Sequence, residues 1–211
     1  MKFRGNRALF GPAKLLNIAL RLLKGAVQIY KYLREGYMIE AIVYTSSTGY
    51  TEEYARMLSK STGLRGLLLK DAVKALKRGA PVIYMGWLMA GVIKGDKKAA
   101  GYFDVKAVCC VGIMDMASQL GQIKQAAGMP EQFPLFPLKG GFDMNRLHGA
   151  YKLMMNIMRG SLIKQAETKA VKTRAEEEMI DLLKNGGSLV SAEQLDGIIK
   201  WRSAGISQEK S

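Results

Sequence analysis

The stretch Ile39–Leu58 does most to limit what this chain can fold into. Ile39 to Tyr44 is apolar and β-branched with one polar break at Glu40, which suits a buried parallel strand. Thr45–Thr51 then carries five Ser/Thr hydroxyls, one glycine and no charge. From Glu52 the period becomes helical: Glu52, Glu53 and Arg56 fall on one side, and Tyr54, Met57 and Leu58 on the other. Free N–H groups at a helix start, and the positive end of its dipole, attract an anion. Short hydroxyls add hydrogen bonds without bulk, and Gly49 lets the backbone come close. Thr45, Ser46, Ser47, Thr48, Gly49, Tyr50 and Thr51 therefore read as a phosphate cradle built without lysine. A plain strand–helix turn is the alternative, and the polarity of Thr-Ser-Ser-Thr-Gly argues against it.

The same alternation continues downstream. Apolar runs at Leu67–Leu69, Pro81–Trp87, Val105–Gly112 and Phe133–Leu138 read as four more strands. Between them, helices are expected over Ala72–Arg78 (capped by Asp71), Lys94–Phe103 and Ser118–Gly128. Five strands alternating with helices predict an α/β fold, a parallel sheet covered on both faces. A long helix follows from about Asn145 to Lys164. Its apolar face is Leu147, Tyr151, Met154, Met155, Ile157, Met158 and Leu162. Thr173-Arg174-Ala175-Glu176 and Ser191-Ala192-Glu193-Gln194 read as capping boxes for two last helices.

Several chemistries are excluded. The cradle lacks the Gly-Lys-Ser/Thr ending of a nucleotide-triphosphatase loop and the three glycines of a dinucleotide fingerprint. A phospho-receiver needs acids after strand 1 and an Asp after strand 3, where this chain has Thr45-Ser46 and Gly86-Trp87. The two cysteines, Cys109 and Cys110, are adjacent, so they point to opposite faces of a strand and make no disulfide framework. One histidine, His148, and no Cys-x-x-C give no structural zinc site.

Ile42, Val43, Tyr44, Ser46, Gly49, Thr51, Ala55 and Leu58 match in register the strand–loop–helix signature of the flavodoxin family. The chain resembles that family here, with Tyr50 in place of the usual Asn. The resemblance implies a three-layer α/β/α sandwich with a five-stranded parallel sheet in the order 2-1-3-4-5. It also implies FMN as cofactor, held at the loops after strands 1, 3 and 4. Beyond the cradle, those loops offer Gly86, Trp87 and Leu88, then Gly112, Ile113, Met114 and Asp115. In the family an aromatic from the first of these covers one face of the ring, and Trp87 is the residue for it. Met38–Lys164 is also similar to the flavodoxin-like, quinone-dependent protoporphyrinogen dehydrogenases. These likenesses imply a redox protein acting with a quinone, a porphyrinogen-like small molecule or a protein partner, and no catalytic acid–base pair is needed.

Charge bears on partners. The net charge is +14, and eight cations against Glu35 place half of it in residues 1–37. From Pro12 to Arg34 the polar positions fall on one stripe of a helix. Arg21 and Lys24 interrupt its apolar face, so it is a poor membrane span. Such a helix suits an anionic membrane surface or a partner's groove. Met38 stands where a flavodoxin-like domain normally begins, so residues 1–37 read either as a working basic helix or as an extension. The division expected is 1–37 basic extension, 38–164 FMN domain and 165–211 helical extension, in a cytoplasmic protein that attaches peripherally to membrane. The second functional reading is a flavin-free adaptor domain that uses its basic surface. No nucleic-acid motif is present, so charge alone would carry nucleic-acid binding.

Overall fold

The computed structural model describes residues 39–113, 116–168 and 173–207, with 20, 21 and 23 from the amino-terminal segment. The chain divides between Met38 and Ile39 into two units. In the first, Leu20, Arg21 and Leu23 are helical and exposed; the remainder of the helix expected over 12–34 lies outside the described residues.

The second unit is α/β. Its central sheet contains β1 (Ala41–Tyr44), β2 (Arg65–Leu68), β3 (Pro81–Met89), β5 (Asp104–Gly112) and β6 (Leu135–Lys139), all parallel, in the order β2-β1-β3-β5-β6. Short β4 (Val92–Ile93) pairs antiparallel with the end of β3. Seven α-helices are described: α1 (Tyr50–Thr62), α2 (Leu69–Ala75), α3 (Asp96–Tyr102), α4 (Leu120–Ala127), α5 (Gly149–Glu167), α6 (Arg174–Asn185) and α7 (Asp196–Ser207). A two-stranded ribbon, β7 (Gly141–Phe142) with β8 (Gly187–Ser188), ties the carboxyl-terminal part to the end of β6.

Strand alternation makes two cores. Ala41, Val43, Val82, Tyr84, Val108 and Cys110 pack with Ala72, Ala99 and Ile123 of α2, α3 and α4. Ile42, Tyr44, Ile83, Met85, Cys109 and Val111 pack with Tyr54 and Leu58 of α1 and Ile198 of α7. The adjacent cysteines thus enter opposite cores, as period-2 geometry requires. Burial pushes both thiols up, Cys110 to about 12, and they pack as small hydrophobes. A third, smaller core joins Phe142 and Leu147 to Leu182 and Leu183 of α6.

Several expectations change. The loop expected after strand 3, at Gly86–Leu88 and beyond, is a β-hairpin, turned at Ala90 (φ 49°) and Gly91 (φ 75°). Positive φ at both central residues is what a two-residue type I′ turn requires, and Ala is a poor signal for it. Asp71 does not cap α2, which begins two residues earlier at the buried Leu69. The box expected at Ser191 does not form. The Gln194 amide instead accepts from Lys139 N–H (2.6 Å) and donates to the Leu189 carbonyl (2.7 Å). Ala192–Leu195 is consequently a 3-10 turn ahead of α7. The Thr173–Glu176 box does form, with Glu176 N–H donating to Thr173 Oγ1 and Thr173 N–H to the Glu176 carboxylate. The division expected at 164/165 falls inside α5, and Leu195 and Ile198 beyond it complete a sheet core. Among the described residues no helix is long and apolar enough to cross a membrane.

Two predictions follow from these contacts. Holding an L side chain left-handed costs about 1–2 kcal/mol, and Asn tolerates the turn better than Ala. Ala90→Asn should therefore raise stability by roughly 0.5–1 kcal/mol, measured by chemical denaturation. Separately, Tyr54 is fully buried and donates to the Lys139 carbonyl at 2.6 Å. Burial raises its pKa from 10.0 to about 12. Because the folded state holds the neutral phenol, this contribution is complete below pH 10 and is lost as pH rises toward 12. Tyr54→Phe should flatten the fall in denaturation midpoint across that window.

Candidate functional site

The parallel strands all end on one side, and a cleft of about 360 Å³ lies there, outside the carboxyl ends of β1, β3 and β5. The chain leaves β1 for α1 on one face of the sheet and leaves the β3–β4 hairpin for α3 on the other. A crevice opens where consecutive connections part in this way, and ligands of open α/β sheets bind at such points. The volume is that of a small-molecule site.

The cleft has a polar end and an apolar slot. Ser47, Thr48, Tyr50 and Thr51 make the polar end. The first intrahelical bond of α1 runs from Glu53 N–H to the Gly49 carbonyl, at 2.9 Å. The amides of Tyr50, Thr51 and Glu52 thus have no acceptor among the described residues, as expected of a helix start. Gly49 caps the helix with φ 92°. Thr51 is 2% exposed and its hydroxyl has no hydrogen-bond partner among the described residues. Among the described residues no fully buried side-chain oxygen is left unpaired, so this hydroxyl opens on the cleft that Thr51 lines.

The slot is walled by the ends of the sheet strands and by α5. Trp87 and Leu88 come from β3, Val111 and Gly112 from β5, and Ile113 from the loop beyond. Leu147, Tyr151, Met155, Met158 and Leu162 close it from the other side. Trp87 and Tyr151 meet edge to face, with centroids 5.4 Å apart and planes at 82°. Lys94 Nζ lies 5.9 Å from the Trp87 ring centroid.

Not every residue expected at the site reaches it. The Thr45 hydroxyl and the Tyr84 phenol both donate to the Lys94 carbonyl, at 2.8 and 2.5 Å, and they lie 2.9 Å apart. This knot fastens the end of β1 to β3 and to the segment after β4, so Thr45 is consumed by the fold. Ser46 Oγ accepts from Gly49 N–H at 3.0 Å and shapes the loop from within. Gly86 is buried, and a Cβ there would stand 2.6 Å from Ile93 Cγ2 and 2.9 Å from the Lys94 carbonyl. It is glycine so that β4 can lie against β3. Ser47, Thr48, Tyr50, Thr51, Trp87, Leu88, Gly112 and Ile113 line the cleft together. Met114 and Asp115 lie outside the described residues. His148 is exposed at the start of α5 and does not line the cleft.

Tyr50 takes a part that its position in the loop did not foretell. Its hydroxyl donates to the Gly187 carbonyl at 3.1 Å, which pins the start of α1 to β8. The ring lies so close to β7 that a Cβ on Gly141 would come within 2.5 Å of it. Desolvation raises the Tyr50 pKa, with Arg146 pulling the other way. The α5 residues carried no local sign of a site, because only long-range packing brings them to the cleft; Arg146, ahead of α5, does not line it but contacts Thr48, Tyr50 and Asp143, which do.

Comparison with protein-family models, with curated proteins and with solved structures gives no match. Among the described residues no group of His, Cys, Asp and Glu is placed to hold a metal.

The tight stacking of Gly141 under Tyr50 generates a prediction. Gly141→Ala should cost about 1–3 kcal/mol of stability through overpacking. In a Tyr50→Ala background, itself less stable through the lost ring, the same change should cost less in the same denaturation assay, because the Gly187 carbonyl, 2.5 Å from the added methyl, is then the clash that remains.

Proposed function

We propose that the Ile39–Ser211 unit is a flavodoxin-like, FMN-binding redox protein. One observation carries this reading: unpaired hydroxyls and helix-start amides adjoin an apolar slot, within a single cleft at the carboxyl ends of the strands. FMN has the matching anatomy, a phosphate monoester at one end and a planar aromatic ring at the other.

The residues present fit that ligand. Ser47, Thr48 and Thr51, with the amides of Tyr50 and Thr51, would hold the phosphate. Trp87, Leu88, Val111, Ile113 and Tyr151 would border the ring. Bound flavin supplies hydride and one-electron chemistry. The chain contributes binding, orientation and a largely apolar surround. Methionines at 116, 155 and 158 make that surround adaptable to more than one flat partner.

Charge supports an oxidoreductase over a shuttle that docks on basic partners. The residues after position 37 carry half of the net +14. A positive surface favours an anionic or membrane-associated substrate, such as a quinone or porphyrinogen-like molecule, or an acidic redox protein. Segment 12–34 is the part proposed to meet an anionic membrane surface.

The test is direct. Titrating the purified protein into FMN should quench flavin fluorescence to a saturating one-to-one endpoint. Thr48→Val with Thr51→Val should weaken binding about tenfold or more, since each hydroxyl donates to a charged group. FMN fluorescence that stays unchanged with the wild-type protein would leave only the flavin-free adaptor reading.

A further inference from the structure

Arg146 lies in the segment between β7 and α5 and stands against the hydroxyl loop. Its Nη1 donates to the Thr48 carbonyl at 3.2 Å, and its Nε lies 3.4 Å from Asp143 Oδ2. Its guanidinium carbon is 5.3 Å from the centroid of the Tyr50 ring. A guanidinium offers five N–H donors in a planar fork that matches phosphate, and these contacts engage two of them. The side chain is 53% exposed, so the remaining donors stay available to a ligand.

The electrostatics of the cleft's polar end call for such a cation. A helix start is worth about half a positive charge, and α1 already places Glu52 and Glu53 in its first turn. Asp143 lines the cleft, whereas Glu52 and Glu53 line a neighbouring hollow with Gly49 and Arg56. A phosphate dianion in the cleft therefore meets the Asp143 carboxylate directly, and a cation paired with Asp143 offsets that charge. Arg146 does not itself line the cleft, but its three contacts, Thr48, Tyr50 and Asp143, all do, which sets its guanidinium at the rim of the polar end.

We propose that Arg146 is the phosphate-recognising residue of the cleft, selecting a phosphate monoester over its dephosphorylated counterpart. The inference rests on the flavin reading above. Asp143 and the Tyr50 ring hold the guanidinium in place, and the Thr51 hydroxyl and the α1 amides complete the phosphate's hydrogen bonds.

The experiment titrates wild-type protein, Arg146→Gln and Arg146→Lys with FMN and with riboflavin, by flavin fluorescence at low and raised salt. Riboflavin has the same ring and no phosphate, so it reports the cleft independently of Arg146. Arg146→Gln should weaken FMN binding about 10- to 100-fold, the range for a lost charge-assisted contact. Riboflavin affinity should stay within about twofold, the slot being untouched. Arg146→Lys should recover part of the loss, because it keeps the charge without the fork. Added salt should weaken FMN binding more in the wild type than in Arg146→Gln. Equal losses for both flavins would overturn the proposal, since Arg146 would then only shape the loop through Thr48 and Tyr50. Unchanged FMN affinity in Arg146→Gln would overturn it and leave the flavin site standing. Wild-type protein that binds neither flavin would overturn the flavin reading and this one together.

Discussion

Strand β3 has no polar face. Val82 and Tyr84 go into one core, and Ile83 and Met85 into the other. Its neighbours β1 and β5 behave in the same way. A sheet apolar on both sides must be covered on both sides, and the connections after β1 and β3 have to diverge to do so. The cleft is the gap left by that divergence. Its position follows from hydrophobic burial in the sheet.

Divergence alone would leave a loose crevice. Two buried polar knots give it fixed walls. The Thr45–Tyr84–Lys94 cluster binds the end of β1 to the β3–β4 hairpin, and Tyr84 is fully buried, so the cluster works in a low-dielectric surround. Tyr54 and Gln194 both bond to the backbone of Lys139, which ties α1 and the turn before α7 to the end of β6. Tyr50 adds a third tether, from the start of α1 to β8. Aromatic hydroxyls thus do what loop backbone could not do for itself. They set the distance between the polar end of the cleft and the wall opposite.

Function in this frame depends on a division between hydroxyls used up by the fold and hydroxyls left over. Thr45 and Ser46 are spent on internal bonds. Thr51 is not: its side chain is almost wholly buried, and its hydroxyl meets the cleft. A free hydroxyl beside the α1 amides, at the polar end of a mostly apolar cleft, is the strongest physical reason to place a polar group of a ligand at that point.

Local chemistry was readable before any folding was known. The step from strand through hydroxyl loop to helix at 42–58, the opposed cysteines and the capping box at Thr173 depend on neighbours in sequence, and each forms. The β3–β4 hairpin was not readable, because Ala90 occupies a conformation that its side chain disfavours and only pairing across the turn enforces. Nor was the fate of Gln194, whose amide abandons a local cap for a backbone N–H 55 positions away. The wall made by α5, and Arg146 at its foot, likewise come from contacts distant along the chain. Sequence by itself determined the main strands and helices of the sheet unit and where a hydroxyl-rich turn leads into a helix, because periodicity and helix-end chemistry act over a few residues. Tertiary structure alone decided which hydroxyls stay free and which cation stands beside them, because those outcomes depend on what the fold brings within hydrogen-bond reach.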